Sequence, residues 1–408
     1  MNIIQILKDP QVIAAIIFVI LMGIFLFNKR KHLVVQKIVY PFLYIILYRS
    51  DFGINFMNKF AKKHKEAIKF FGYCCIGLSM IGMVFISVNI ILMVYTLIVT
   101  PVPQPGVALV LPFTNVPGIG YLSFFHWIIA IFLLAIVHEF AHGIVAKAHD
   151  LPIKSSGFAF FAILAPIIPA AFVEPDEKKL SKESDVAQYS VFAAGPIINI
   201  LIALLIFIAM PYVANPSRLA PFEGSITDPV GFSFELTNTT LPAAQAGLQD
   251  GMIVSSFNGQ PITDITSFLE TMAYCTAPGE TVTLGVEGQT YSMTTVASDD
   301  RKRGIIGVTN FKNERRVKPE YEWLKHPFYW TKDLFKWLFL LNFFIGLFNL
   351  LPLGIVDGGR ILKTLLRRLM EDKQKAIKMW GFISLFFLIL LIFGLLTTYV
   401  GNPFAFLK

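Results

Sequence analysis

"SSGFAFFAILAPIIPAAFV", residues 155 to 173, carries no charge and is long enough to cross a bilayer as a helix. Whether it crosses decides the architecture, because every later segment changes sides with it. Gly157, Pro166 and Pro169 argue against a helix, since an interior proline costs about 3 kcal/mol and removes a backbone donor. Charge gives a second argument. Residues 28–70 hold ten Lys and Arg (residues 29, 30, 31, 37, 49, 59, 62, 63, 65 and 69) against Asp51 and Glu66, and residues 360–378 hold seven against Glu371 and Asp372. Lys and Arg beside apolar spans mark the cytoplasmic side. A crossing at 155–173 would put the two clusters on opposite sides. The stretch is therefore read as a re-entrant, strand-like insertion shielded by protein, where irregular backbone survives at membrane depth.

The rest of the chain agrees with a membrane setting. Of its 408 residues 55% are hydrophobic and 15% charged, well below the roughly 25% charged residues of soluble domains. The net charge of +8 is concentrated at the two flanking clusters, so it reports topology and gives no reason to expect a nucleic-acid partner. Cys74, Cys75 and Cys275 form no disulfide or zinc-knuckle pattern.

Uncharged stretches of spanning length occupy residues 71–99, 116–137, 187–213, 337–356 and 379–400, with 12–27 a shorter candidate. The basic residues after 12–27 follow the apolar run, which favours an anchor helix over a signal peptide. The predicted fold is thus a polytopic α-helical membrane protein of about six transmembrane helices with a re-entrant β-like segment. The charge-free loop 101–120 falls outside, the span 116–137 runs inward, 187–213 outward and 337–356 inward. Residues 214–325 are polar, with short alternating runs such as "FSFELTNTT" and "TVTLGV", and predict a β-rich domain outside the membrane. The predicted divisions are 1–70 (anchor helix and basic cytoplasmic loop), 71–213 (membrane core), 214–325 (inserted domain) and 326–408 (C-terminal membrane core).

The chemistry lies at the inner end of the span 116–137. His138-Glu139-Phe140-Ala141-His142 is an HExxH pattern, which sets both imidazoles on one helix face one turn apart, with a carboxylate beside them. Two neutral imidazoles suit zinc, and the glutamate is placed to take a proton from water at the metal. A catalytic zinc needs a third protein ligand, and Asp357, at the inner end of 337–356, reaches the same depth. That depth is shared only if 155–173 does not cross, so ligand geometry and charge support one topology. Pro352, Gly354, Gly358 and Gly359 would open the helix and let the carboxylate turn toward the metal. Asn199 and Asn349 are amides within spans, suited either to helix-to-helix hydrogen bonding or to holding substrate and a developing oxyanion. His32, His64, His126, His149 and His326 read as ordinary polar or interfacial residues.

HEFAH on an inward span, "AFVEPDE" (171–177), "AAGPIIN" (193–199) and "NLLPLGIVDGG" (349–359) together resemble the site-2 protease family of intramembrane zinc metalloproteases. The resemblance covers roughly 120–210 and 330–365, and Val356 stands where many members have leucine. It implies one zinc ion on His138, His142 and Asp357, Glu139 as general base, and Asn199 and Asn349 in the active site. It also implies transmembrane proteins as substrates, in the lipid bilayer of a cell membrane, with the site near the cytoplasmic face. "LPAAQAGLQDGMIVSSFNGQPI" (241–262) resembles the PDZ fold, with Met252 where aspartate is usual. Both "VGFSF" (230–234) and "RGIIGV" (303–308) compete as its carboxylate-binding loop, and a peptide end would be its ligand. Alternatives are an inactive receptor or scaffold working through the inserted domain, another membrane zincin with a glutamate ligand, and a zinc transporter. No suitable glutamate follows His142 within a span, and polar residues are not spread over several spans as transport would require.

Overall fold

The computed structural model describes residues 9–39, 43–99, 107, 109–116, 119–163, 165–214, 221–298 and 303–400. Parts of the loop 101–120, predicted to lie outside the membrane, fall beyond these residues. The chain divides into two compact units, one of Met1–Ile208 with Lys332–Lys408 and one of Ala209–Thr331.

Among the described residues, five helices are long and apolar enough to cross a membrane: Pro10–Asn28, Lys65–Val99, Phe124–Ala148, Asp185–Met210 and Lys373–Thr398. On the first two, large apolar side chains such as Ile17, Leu21, Ile81 and Val84 stand open on the outer surface. So many exposed aliphatic side chains are expected against lipid and not against water. The chain is a polytopic membrane protein.

Helix α1 (Pro10–Asn28) is capped by Asp9, whose carboxylate accepts from Gln11 N. Strands β1 (Leu33–Val39) and β2 (Leu43–Ser50) follow, then α2 (Ile54–Lys63) and α3 (Lys65–Val99). The segment predicted as a basic loop is therefore a hairpin and an amphipathic helix, a correction to the reading by charge alone. A short hairpin, β3 (Thr114–Val116) and β4 (Gly120–Leu122), leads into α4 (Phe124–Ala148), whose N-terminus is capped by Ser123. The predicted span 116–137 thus starts eight residues late, because Ser123 supplies the cap and Gly120 (φ +116°) the turn before it.

Residues 155–163 and 165–173 are strands, in keeping with their prolines and glycine. Strands β5 (Ile153–Ile163) and β6 (Ala165–Pro175) pair antiparallel, and β5 also pairs with β2, giving one sheet in the order β1-β2-β5-β6. Gly157 is needed where β2 runs closest, since a Cβ there would overlap the Tyr48 carbonyl. The two faces of this sheet explain why its sequence is continuously apolar. One face packs Ile46 and Phe160 with Leu26 of α1, and the other sends Ile45, Leu47, Ala159 and Phe161 into a cavity. A sheet covered on both faces shows no polar alternation. Pro169 is tolerated because β6 is an edge strand.

Helix α5 (Asp185–Ala214) carries the AAGPIIN segment, and α6 (Glu322–Asn349) runs toward α7 (Asp357–Leu369) and α8 (Lys373–Val400). The predicted span 337–356 is not one helix. It stops at Asn349, and residues 350–356 turn before α7 begins at Asp357. Pro352 and Gly354 account for the stop, and the Gly358–Gly359 pair for the closeness of the restart. A Cβ at either glycine would meet carbonyls of the turn, those of Leu350 and Leu351 for Gly358 and that of Leu353 for Gly359.

In the second unit, strands β7 (Thr227–Leu236), β8 (Ile253–Phe257), β10 (Thr281–Val286), β11 (Gln289–Thr294) and β12 (Val308–Val317) form a sheet in the order β11-β10-β8-β7-β12, with the short strand β9 (Gln260–Pro261) beside β8. The helix Ile265–Cys275 closes a core of Phe232, Phe234, Val254, Phe257, Phe268 and Leu284.

Candidate metal centre and active site

Helix α4 is held on three sides. Met57 of α2 and Val173 of β6 lie against Gly143, and α5 packs along the face that carries the histidines. His138 and His142, one turn apart, turn their Nε2 atoms to within 3.1 Å of each other. Asp357, the first residue of α7, brings Oδ2 to 3.1 Å from His138 Nε2 and 3.3 Å from His142 Nε2. Among the described residues these three form a group with metal-ligand spacing. Ligands about 2.0–2.1 Å from a tetrahedral zinc lie about 3.3 Å apart, so the triangle has the size that zinc requires.

The remaining ring nitrogens test whether a metal fits. His142 Nδ1 donates to the Val191 carbonyl at 2.6 Å, which fixes the tautomer with a bare Nε2. His138 Nδ1 faces the Asn199 amide at 3.3 Å, with Nδ2 the nearer atom, and Asn199 Oδ1 is buried without a partner. A buried amide oxygen left unpaired costs about 1–3 kcal/mol. Turning the amide over leaves its shape unchanged and sets Oδ1 to accept from Nδ1–H of His138. That tautomer again leaves Nε2 bare for a metal. With both Nε2 atoms turned to Asp357 and the three ligand atoms at zinc spacing, the residues fit zinc.

Glu139 points to the other side of the histidines, where its Oε2 accepts from Val173 N at 2.9 Å. That N–H lies on the free edge of β6, so the sheet and the HExxH helix meet at the carboxylate. A cavity of about 640 Å³ opens here, lined by His138, Glu139, His142 and Asp357 together with Ala171 and Val173 of the strand edge. Asn349 borders the same cavity, with its Nδ2 donating to the Ile345 carbonyl one turn back. Of the predicted site residues, five are thus gathered around one cavity, and Asn199 stands behind it on His138. His126 instead pairs with Ser123, and His64 lies tilted against the Phe60 ring.

One participant was not singled out from the sequence. Gly195, in the AAGP segment, lies so close to the ligands that a Cβ there would overlap His142 Nε2 and sit 2.7 Å from His138 Nε2. The signal was present in the motif, where only the asparagine was weighed.

The model of peptidase family M50 matches residues 126–391, which include the HExxH helix, the sheet hairpin, the AAGP helix and Asp357. The chain belongs to peptidase family M50. This is the site-2 protease family that the motifs resemble. The chain is similar to zinc metalloprotease RasP of Geobacillus kaustophilus, 24% identical over 213 residues, covering 41% of this chain and 48% of the relative. It is also similar to the uncharacterized protein MJ0971 of Methanocaldococcus jannaschii, 28% identical over 256 residues, covering 62% of this chain and 60% of that protein. The chain therefore spans about half to three fifths of the length of these relatives. The chain is thus a polytopic membrane protein that belongs to a peptidase family.

Proposed function

We propose that this protein is an intramembrane zinc metalloprotease that hydrolyses peptide bonds within transmembrane segments of other membrane proteins. The observation that carries the reading is the triangle of His138, His142 and Asp357 with Glu139 beside it, at the wall of a cavity bounded by a strand edge. Zinc held there, one ion per chain, would acidify water to a pKa of about 7 and polarise the carbonyl under attack. Glu139 takes the proton of the attacking water and delivers it to the leaving amine. The Val173 N–H orients that carboxylate. Asn199 holds His138 in register, and Asn349, which lines the same cavity, is placed to support substrate backbone or the developing oxyanion.

A helical substrate hides its carbonyls, so it must unwind before it is cut. The outward backbone groups of β6 offer the unwound segment a partner by strand addition. The charge distribution supports six spans, with α6 the sixth, the site near the cytoplasmic face and residues 214–325 outside. We read the inserted unit as PDZ-like. Its groove, about 310 Å³, lies between the helix Ile265–Cys275 and residues 303–308, which favours "RGIIGV" over "VGFSF" as the loop that would receive a peptide carboxylate.

The test is cleavage of a purified membrane-spanning model substrate by the wild-type protein and Glu139→Gln, with fragments located by mass spectrometry. Cuts inside the transmembrane segment by wild type alone are expected. Equal cleavage by both forms, or cuts confined to residues outside the membrane, would contradict the reading and favour a scaffold role.

A further inference from the structure

Helix α2 (Ile54–Lys63) is exposed in a way the proteolytic site does not use. Its buried side consists of Met57 and Ala61, packed toward α4 and α3. At about 100° per residue, Phe56 and Phe60 fall next to that side, and Lys59, Lys62 and Lys63 beyond them. Phe52, Phe56 and Phe60 are 50%, 54% and 41% exposed, a row of aromatic rings at four-residue spacing. Phe56 and Phe60 stack on each other at 5.7 Å, and Phe52 and Phe56 lean on Phe140 of the HExxH segment at 5.9 and 6.4 Å. An aromatic row between a buried face and a lysine face is the composition of a helix lying in a membrane interface.

Chain continuity says what covers it. α2 ends one residue before a spanning helix, Lys65–Val99, and the β1-β2 hairpin joins its start to another, Pro10–Asn28, so the chain on either side of it leads into a membrane helix. With His64 alone between α2 and α3, the helix cannot leave the end of α3. Lys59, Lys62 and Lys63 face outward together, and the nearby acids are few: Asp51, Glu66 beside Lys69, and Asp150, which pairs with Lys65.

We propose that the Phe52–Phe56–Phe60 row and the lysines of α2 form a docking surface for the anionic leaflet of the bilayer, with the rings below the headgroups and the ammonium groups among them. The same helix is the support on which α4 rests through Met57 and Gly143.

The test uses the full chain carrying Phe56→Trp, reconstituted into phosphatidylcholine vesicles with and without phosphatidylglycerol, with the unsubstituted protein as background. Loss of the added indole emission to lipids brominated near the headgroup is expected, with little loss to aqueous iodide. Anionic lipid should strengthen the effect. Replacing Lys59, Lys62 and Lys63 by Glu should shift the balance toward iodide, at least about fivefold per lysine. Free access of iodide in both lipid mixtures would overturn the proposal. So would an indole shielded from iodide yet untouched by bromolipid, which would mean that protein covers the helix. Neither outcome depends on cleavage, so the proteolytic reading stands or falls separately.

Discussion

Gly195→Ala is the sharpest perturbation the structure offers. One methyl group on α5 would project into the space between the two imidazoles. It would overlap His142 Nε2 and lie 2.7 Å from His138 Nε2, 0.7 Å short of the 3.4 Å at which ordinary contact begins. A metal site tolerates errors of only about 0.2 Å in its ligand distances. At least one histidine must therefore withdraw by several times that margin, which breaks up the ligand set. The cost to the fold is smaller, about 1–3 kcal/mol for overpacking. Expected outcomes are a protein that still purifies as a folded species, a zinc content below about a tenth of an ion per chain, and no cleavage of a model substrate. Gly77→Ala on α3 is the matched control, because a Cβ there meets nothing within 4 Å. Full zinc in Gly195→Ala, measured by metal analysis beside that control, would refute the placement of α5 against the ligands.

Asn199→Ala should weaken zinc binding about 10–100-fold in a chelator competition, since it removes the partner of His138 Nδ1, whereas Asn199→Asp should bind at least as tightly as wild type. Val173→Pro deletes the N–H that orients Glu139 and should slow cleavage about 10–100-fold at unchanged zinc content, while Val173→Ala should cut normally. The Lys65 ammonium beside Asp150 holds that carboxyl below the ordinary carboxylate range. A depressed carboxyl pKa stabilises the fold above the unfolded value of about 3.9 and ceases to do so as pH falls through the folded value. The wild-type advantage in Tm over Lys65→Met should therefore be present near neutral pH and vanish under acid conditions. An advantage that persists in acid would remove the ion pair as its cause.

The triangle of His138, His142 and Asp357 was legible because its residue types are costly in a membrane and their spacing is helical. His138 and His142 share a face by period alone, and Asp357 matches them in depth. The strand character of 155–173 was legible from two prolines and a glycine. What escaped was the other half of that sheet. "LVVQKIV" (33–39) and "LYIILYRS" (43–50) are runs of branched and aromatic residues, but they lie in a stretch weighed only for its lysines. The break between Asn349 and Asp357 was anticipated as an opened helix. The structure ends one helix and starts another, which moves Asp357 onto a helix N-terminus that two glycines bring against the preceding turn. Gly195 was missed because close approach is a property of two helices at once, and no single-segment pattern reports it.

The most direct test of the central claim is the zinc content of the purified, folded protein compared with that of Asp357→Ala. One zinc per wild-type chain and loss of most of it in the variant are expected. A folded wild-type chain without zinc, or a variant that keeps its zinc in full, would contradict the claim.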